Sequence, residues 1–363
     1  MSANPSNSIP ENNLNINAIG LMSGTSHDGL DICLCSIKLI DNSWSYSILA
    51  GQTIAYSADL KQQLLCSPEL SGLDLWKLHC NYGQWVGKQV NQFIRSKNVN
   101  ISVIGSHGHT VFHAPKNGFT TQIGHGAYIA AETGIPCVCD FRSGDVARGG
   151  QGAPLVPIGD ELLFNEYDFC LNLGGIANVS FNGNQGRVAY DICPVNMAIN
   201  MVANHLGYEM DFNGEIAKTG EVNHALLSSL NNLNYYSIEG AKSLGREWYT
   251  QVFEKQIKKF ISEPNNTLRT IYEHIAIQIA ASTNHKKNGS ILVTGGGAKN
   301  KFLVELIAQK NSNRVTIPQP NIIDFKEALI FALLAVLYQQ KTISSLASVT
   351  GAKASSIGGC LYF

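Results

Sequence analysis

Twice, about 150 residues apart, the chain runs strand, glycine turn, strand, and this repetition limits its fold more than any other feature. In the first instance Ile16, Ala18, Ile19 and Leu21 lead into Ser23-Gly24-Thr25-Ser26-His27-Asp28-Gly29, and Leu30, Ile32 and Leu34 lead out. In the second, residues 168–192, two apolar runs flank Gly174-Gly175 and a third run ends at Tyr190-Asp191-Ile192. Glycine permits the tight backbone, and Ser and Asp favour turns. A plain hairpin accounts for these residues. So does a turn whose N–H groups and hydroxyls face an anion. The two stretches share no residue-by-residue repeat, so they point to two domains of similar plan rather than a tandem array.

Helical and strand-like patterns alternate elsewhere. Leu75, Leu78, Tyr82, Trp85, Val86 and Val90 recur at three- and four-residue spacing and predict a helix over 75–94. Val99–Ile104, "PCVCDF" (136–141) and "ILVTGGG" (291–297) read as strands. "AKNKFLVELIAQ" and "KEALIFALLAVLYQQ" (326–340) read as helices. Such alternation predicts an α/β fold with partly parallel sheets. The chain's 363 residues suffice for two ordinary domains, and 44% hydrophobic against 15% charged residues suits a large core. The expected boundaries are 14–136 and 137–363, with the C-terminal tail packing back on the first domain.

A net charge of −1 without a basic patch argues against nucleic acid as a partner. The first thirteen residues, MSANPSNSIPENN, lack a basic start and an apolar run, so a loose tail and no signal peptide are expected. The apolar stretch Ala328–Leu337 is too short for a bilayer and reads as a buried helix. Nine cysteines without C-x-x-C spacing read as reduced core residues of a cytoplasmic protein, Cys33, Cys35, Cys137 and Cys139 among them.

Neither G-x-x-x-x-G-K-[ST] nor G-x-G-x-x-G after a strand occurs, so a bound nucleotide must use other turns. Gly24–Gly29, Gly174-Gly175 and Gly295-Gly296-Gly297 are available, the last between a strand and a helix where free N–H groups suit an anion. "GSHGHTVFH" (105–113) offers His107, His109 and His113. They read as hydrogen-bond donors in a polar cleft or, in a metal-dependent hydrolase, as an H-x-H metal pair. Arg142 suits a carboxylate ligand held by its fork, or a salt bridge to Asp140 or Asp145. Asp191 lies in an apolar run, where lost solvation makes it more basic and suited to a general base; capping the helix near Asn196 is the alternative. Glu327 reads either as a site carboxylate or as a first-turn helix residue favoured by the dipole.

Taken together, "GLMSGTSHDGLD", "SHGHTVFHAP", "DFRSGDVARGGQGAPLVP", "LNLGGIANVSF", "TGGGAKN" and "EALIFALLA" resemble the anhydro-N-acetylmuramic acid kinase family over nearly the whole chain after the tail. The resemblance implies two similar ribonuclease H-like domains of the sugar kinase/Hsp70/actin type, with ATP in an interdomain cleft. It assigns ATP contacts to Gly24, Thr25, Ser26, His27, Asp28, Gly29, Leu30, Asp31, Gly174, Gly175, Gly295, Gly296 and Gly297. It assigns sugar contacts to His107, Arg142 and Glu327, and catalysis to Asp191. Magnesium is implied, with Asp28 at the metal through water. The implied reaction adds water across the 1,6-anhydro bond of anhydro-N-acetylmuramic acid and phosphorylates O6, in peptidoglycan recycling in a bacterial cytoplasm. A homodimer is a further expectation. Where the family commonly reads D-T-G-P-G-N, this chain reads Asp191-Ile192-Cys193-Pro194-Val195-Asn196. A kinase for another sugar, or an ATP-binding regulator without transfer activity, are the rival readings.

Overall fold

The computed structural model describes residues 13–24, 29–240 and 242–363. The first strand, β1 (Asn13–Ser23), pairs antiparallel with β2 (Gly29–Ile40), placing Ser23 opposite Leu30. β2 pairs antiparallel with β3 (Ser43–Ala55). On the other side β4 (Val103–Ser106) runs parallel to β1. β5 (His109–Ala114) and β6 (Phe119–Ile123) form a separate hairpin. β7 (Cys137–Cys139) continues the main sheet parallel to β4. The central strand β2 is buried along nearly its whole length, whereas β3 at the edge alternates half-buried with exposed residues, as expected for covered and open sheet positions.

The helix Gly72–Ile94 covers one face with Leu78, Tyr82, Val86, Val90 and Phe93, three or four residues apart, and begins where Ser71 Oγ accepts the Asp74 N–H. The helix Pro320–Gln339 is buried along most of its length. It lies so close to the sheet that a Cβ at Gly20 would meet the Ala328 carbonyl and one at Gly105 the Phe331 carbonyl. Glycine at these two positions therefore sets the helix-to-sheet distance.

The second unit repeats the strand plan. β8 (Phe169–Leu173), β9 (Ile176–Gly183) and β10 (Gly186–Pro194) form an antiparallel meander, with a bulge between Asp191 and Cys193. β11 (Ser290–Thr294) runs parallel to β8, and β12 (Arg314–Thr316) parallel to β11. The order β10-β9-β8-β11-β12 thus matches β3-β2-β1-β4-β7 in the first sheet, which a final strand β13 (Cys360–Tyr362) extends antiparallel to β7. The helix Pro264–Thr283 fills the second core through Leu268, Ile271, Tyr272, Ile275 and Ile279.

The two compact units are the described residues up to Leu163 together with Phe325–Phe363, and Phe164–Asp324. Residues 137–163 fall with the first unit, not the second as the sequence reading had it, because β7 hydrogen-bonds to β4 and β13 to β7. The strand expected from Val99 begins only at Val103, although Ser102 N–H already bonds to the Asn17 carbonyl. The helix expected from Lys326 begins at Pro320, a favoured first-turn residue. Cys33, Cys35 and Cys137 are buried in the first sheet, and all nine cysteines are free thiols. No helix among the described residues is long and apolar enough to cross a membrane.

Candidate active site

In the first unit His107, Arg142 and Glu327, the residues expected on the sugar side, lie close together. β4 ends at Ser106, and His107 follows, buried, with its N–H bonded to the Leu21 carbonyl. Arg142 lies just after β7. Its Nε–H and an Nη2–H both donate to His107 Nε2, at 3.1 and 2.8 Å, and Nη1 donates to the Gly152 carbonyl at 2.6 Å. Gly152 is held in turn through its N–H, 2.7 Å from Asp145 Oδ2, while Ser345 and Thr350 donate to Asp145 Oδ1.

Because a guanidinium has no acceptor, His107 Nε2 must be the acceptor and the proton sits on Nδ1. The sequence had His107 as a donor in a polar cleft; toward Arg142 it is the reverse. Burial, then the Arg142 charge, pushes the His107 pKa well below its usual value, so the ring is neutral at physiological pH. Three guanidinium hydrogens are engaged and two remain of the five. Neither Asp140 nor Asp145 forms the ion pair offered as the structural role of Arg142. Asp140 Oδ1 accepts from Ser143, and Asp145 is taken up as above.

Glu327 lies about two turns inside the helix Pro320–Gln339, so the first-turn dipole role is excluded by the helix start. Burial raises its pKa; Lys326 and Arg142 oppose this, while Asp31 and Asp160 add to it. Four residues on, the Phe331 ring packs 4.7 Å from His107, centroid to centroid.

Of the turn expected to hold phosphate, Thr25, Ser26, His27 and Asp28 lie outside the described residues. Its stems are anchored by polar contacts the sequence did not reveal. Tyr56 OH donates to Ser23 Oγ at 2.8 Å and lies 2.7 Å from Tyr82 OH, and Ser23 Oγ is 3.2 Å from His109 Nδ1. Gly24 directly follows β1. Gly29 is needed for packing as well, since a Cβ there would stand 2.5 Å from the Ile54 carbonyl oxygen. Leu30 turns its side chain into the core, leaving only its backbone for a phosphate. Asp31 is half-buried and accepts from Thr53 Oγ1 at 2.6 Å.

The second unit gathers the catalytic candidate and two glycine turns. Asp191 stands opposite Asn178 on β9, and Asn178 opposite Asn172 on β8, so the three share one face of the sheet. Asp191 Oδ2 accepts the Leu244 N–H at 2.8 Å, and its backbone is held by the Lys242 carbonyl and Tyr235 OH. Burial raises the Asp191 pKa and the Leu244 N–H lowers it. Its carboxylate is not the cap of the helix Asn196–His205, which begins at Val195 without a side-chain cap.

Gly174 and Gly175 accept through their carbonyls from the N–H groups of Val195, Asn196 and Met197, which ties the β8–β9 turn to that helix start. Gly295 has φ +81° and Gly297 packs against Leu173, while the space over Gly296 is open to 3.8 Å. The triple glycine leads into a short 3₁₀ turn, and the following α-helix starts only at Lys301, capped by Asn300. Asn172 and Asn178 were missed in the sequence. Their one signal is an asparagine on each side of Gly174-Gly175, at register positions visible only once the strands pair.

Two sheets of one strand order define an α/β protein of duplicated plan. The family model described as anhydro-N-acetylmuramic acid kinase matches residues 16–363. The anhydro-N-acetylmuramic acid kinase of Sulfurovum sp. (strain NBC37-1) is 35% identical over 95% of this chain and 98% of its own length. That of Vibrio vulnificus (strain YJ016) is 36% identical over 95% and 97%. Among solved structures, the activator of 2-hydroxyisocaproyl-CoA dehydratase from Clostridium difficile with bound ADPNP aligns over 88% of this chain and 94% of its own, at 14% identity and TM-score 0.44. The chain belongs to the anhydro-N-acetylmuramic acid kinase family.

Proposed function

We propose that this chain uses ATP to open anhydro-N-acetylmuramic acid with water and to phosphorylate O6, giving N-acetylmuramic acid 6-phosphate for peptidoglycan recycling in a bacterial cytoplasm. The observation that carries this reading is Asp191, a partly buried carboxylate made more basic by lost solvation and oriented by one backbone N–H. Such a group takes a proton well and has a second oxygen with which to do so.

Asp191 removes a proton from the water that attacks C1. The C1–O6 bond breaks, its electrons stay on O6, and O6 attacks the γ-phosphorus of ATP as ADP leaves. One base therefore couples bridge opening to transfer, and water never meets phosphorus. The Gly174-Gly175 and Gly295–Gly297 turns, with the stems of the Gly24–Gly29 turn, take the nucleotide through backbone groups. The two remaining guanidinium hydrogens of Arg142 suit the lactyl carboxylate of the sugar. His107, neutral, fixes the Arg142 fork, and Glu327 accepts from a sugar hydroxyl.

Magnesium favours phosphate oxygens, water and one or two carboxylates. No group of three His, Cys, Asp or Glu residues among the described residues makes a ready cage, and Asp28 lies outside them. The ion fits as a companion of the nucleotide's phosphates, where it neutralises their charge.

Incubation with ATP, magnesium salt and anhydro-N-acetylmuramic acid in ¹⁸O-water tests the reading. Label on the C1 hydroxyl and none in the transferred phosphate is expected. Label in the sugar phosphate would sink the mechanism, and free labelled phosphate with unmodified sugar would favour the regulator instead.

A further inference from the structure

Beside Glu327 lies an ion pair that the reading above does not use. Lys326 Nζ stands 2.6 Å from Asp160 Oδ1, and the two side chains are only 6% and 4% exposed. Asp160 sits on the helix Val156–Leu163, a different element from the one carrying Lys326 and Glu327. The two helices touch at the neighbouring residue, where a Cβ on Gly159 would run into the Ile330 side chain. On its sheet side the Glu327 helix is fixed at Gly20 and Gly105, against Ala328 and Phe331. Glu327 is thus flanked by backbone contacts to the sheet on one side and by a buried charge pair on the other.

A buried ion pair is seldom a gain in stability over apolar residues of equal size, and its best-attested use is to specify one arrangement. We propose that the Lys326–Asp160 pair is a positioning element for Glu327, fixing its place to accept from the sugar. This rests on the reading of Glu327 as a sugar contact.

The groups acting on Glu327 come from four elements: Lys326 on its own helix, Asp31 on β2, Arg142 after β7, and Asp160. Lys326 is the strongest of these charges and favours the carboxylate form, and Asp160 is the weakest and opposes it. Neutralising both together therefore leaves Glu327 harder to ionise.

The test compares wild type, Lys326→Met/Asp160→Asn, Lys326→Arg, Asp160→Glu and Glu327→Gln. Measured are melting temperature, KM for each substrate, and the pH profile of kcat/KM for the sugar. For the neutral double variant we expect a folded protein, a raised sugar KM, an unchanged ATP KM, and an acid limb of kcat/KM moved to higher pH. Lys326→Arg keeps the charge and should keep the limb. Asp160→Glu keeps both charges but lengthens one arm; it should raise the sugar KM with the limb in place, and it serves equally if the double variant does not fold. Wild-type sugar KM and profile in whichever of these two variants folds would overturn the proposal. If Glu327→Gln also leaves the sugar KM unchanged, the reading of Glu327 falls and takes the proposal with it; if Glu327→Gln alone raises it, only the proposal falls.

Discussion

The two units share a strand order but use their glycines differently. In the first, Gly20 and Gly105 lie under a helix whose carbonyls leave no room for a side chain. In the second, an added Cβ at Gly174 or Gly296 would meet nothing closer than 3.4 Å, whereas Gly295 and Gly297 pack against Asn172 and Leu173. Gly20 and Gly105 bring backbone against backbone, while Gly174 and Gly296 leave room above theirs. The charged groups divide likewise. In the first unit Arg142 is held on the neutral His107 ring and Lys326 pairs with Asp160. Asp191 in the second has a single backbone donor on its carboxylate. On the proposed function, one topology serves both sugar binding by tightly held side chains and proton transfer by a lightly held base. The side chains at the strand ends, not the strand order, decide which.

The sharpest test removes the base alone. Asp191→Asn should fold with a wild-type melting curve and bind ATP, yet lose kcat by roughly 10²–10⁴-fold, the usual worth of a general base. Turnover near wild type would erase the distinction drawn between the units.

Next come the glycines. Gly105→Ala places a methyl on the Phe331 carbonyl and should cost about 3 kcal/mol, at the upper end for overpacking because backbone gives less than side chains. Gly296→Ala should leave the melting temperature alone and raise the KM for ATP. The comparison fails if the two variants behave alike in both assays.

Arg142→Lys keeps the charge but loses the fork that holds His107. We expect a rise in sugar KM of roughly tenfold to a hundredfold, from about 1.5–3 kcal/mol of charged hydrogen bonding, with ATP affinity intact. An unchanged sugar KM would return Arg142 to a structural role.

The smallest effect lies in the pH profile. Asp191 works as a base only when ionised, and burial raises its pKa. At saturating sugar, where bound substrate already holds Glu327, single-turnover activity should therefore be full at neutral pH and fall as the pH drops through a value above the ordinary carboxylate range of about 4. An acid limb at or below 4 in single-turnover kinetics would contradict a desolvated Asp191.

The local pattern carried the strands and helices because their periods, two and 3.6, are written in single residues. It misplaced the start of the Glu327 helix, since Asn321 and Asp324 interrupt the apolar residues after Pro320 while the backbone continues. It also assigned residues 137–163 to the second domain, because β7 is three residues long and its partners, β4 and β13, lie far away in the chain.

At the site, Asp191 was legible from its own neighbours: a carboxylate within an apolar strand loses solvation wherever the rest of the chain goes. Once the motifs were taken together, the family was legible as well. The acceptor role of His107, the anchoring of Ser23 by Tyr56 and the pairing of Lys326 with Asp160 were not legible. They join residues 35, 33 and 166 positions apart. A side chain's type states what it can donate or accept, but its partner is chosen by packing. Buried polar groups must find partners within about 3 Å, and only the assembled sheets and helices determine which groups come that close.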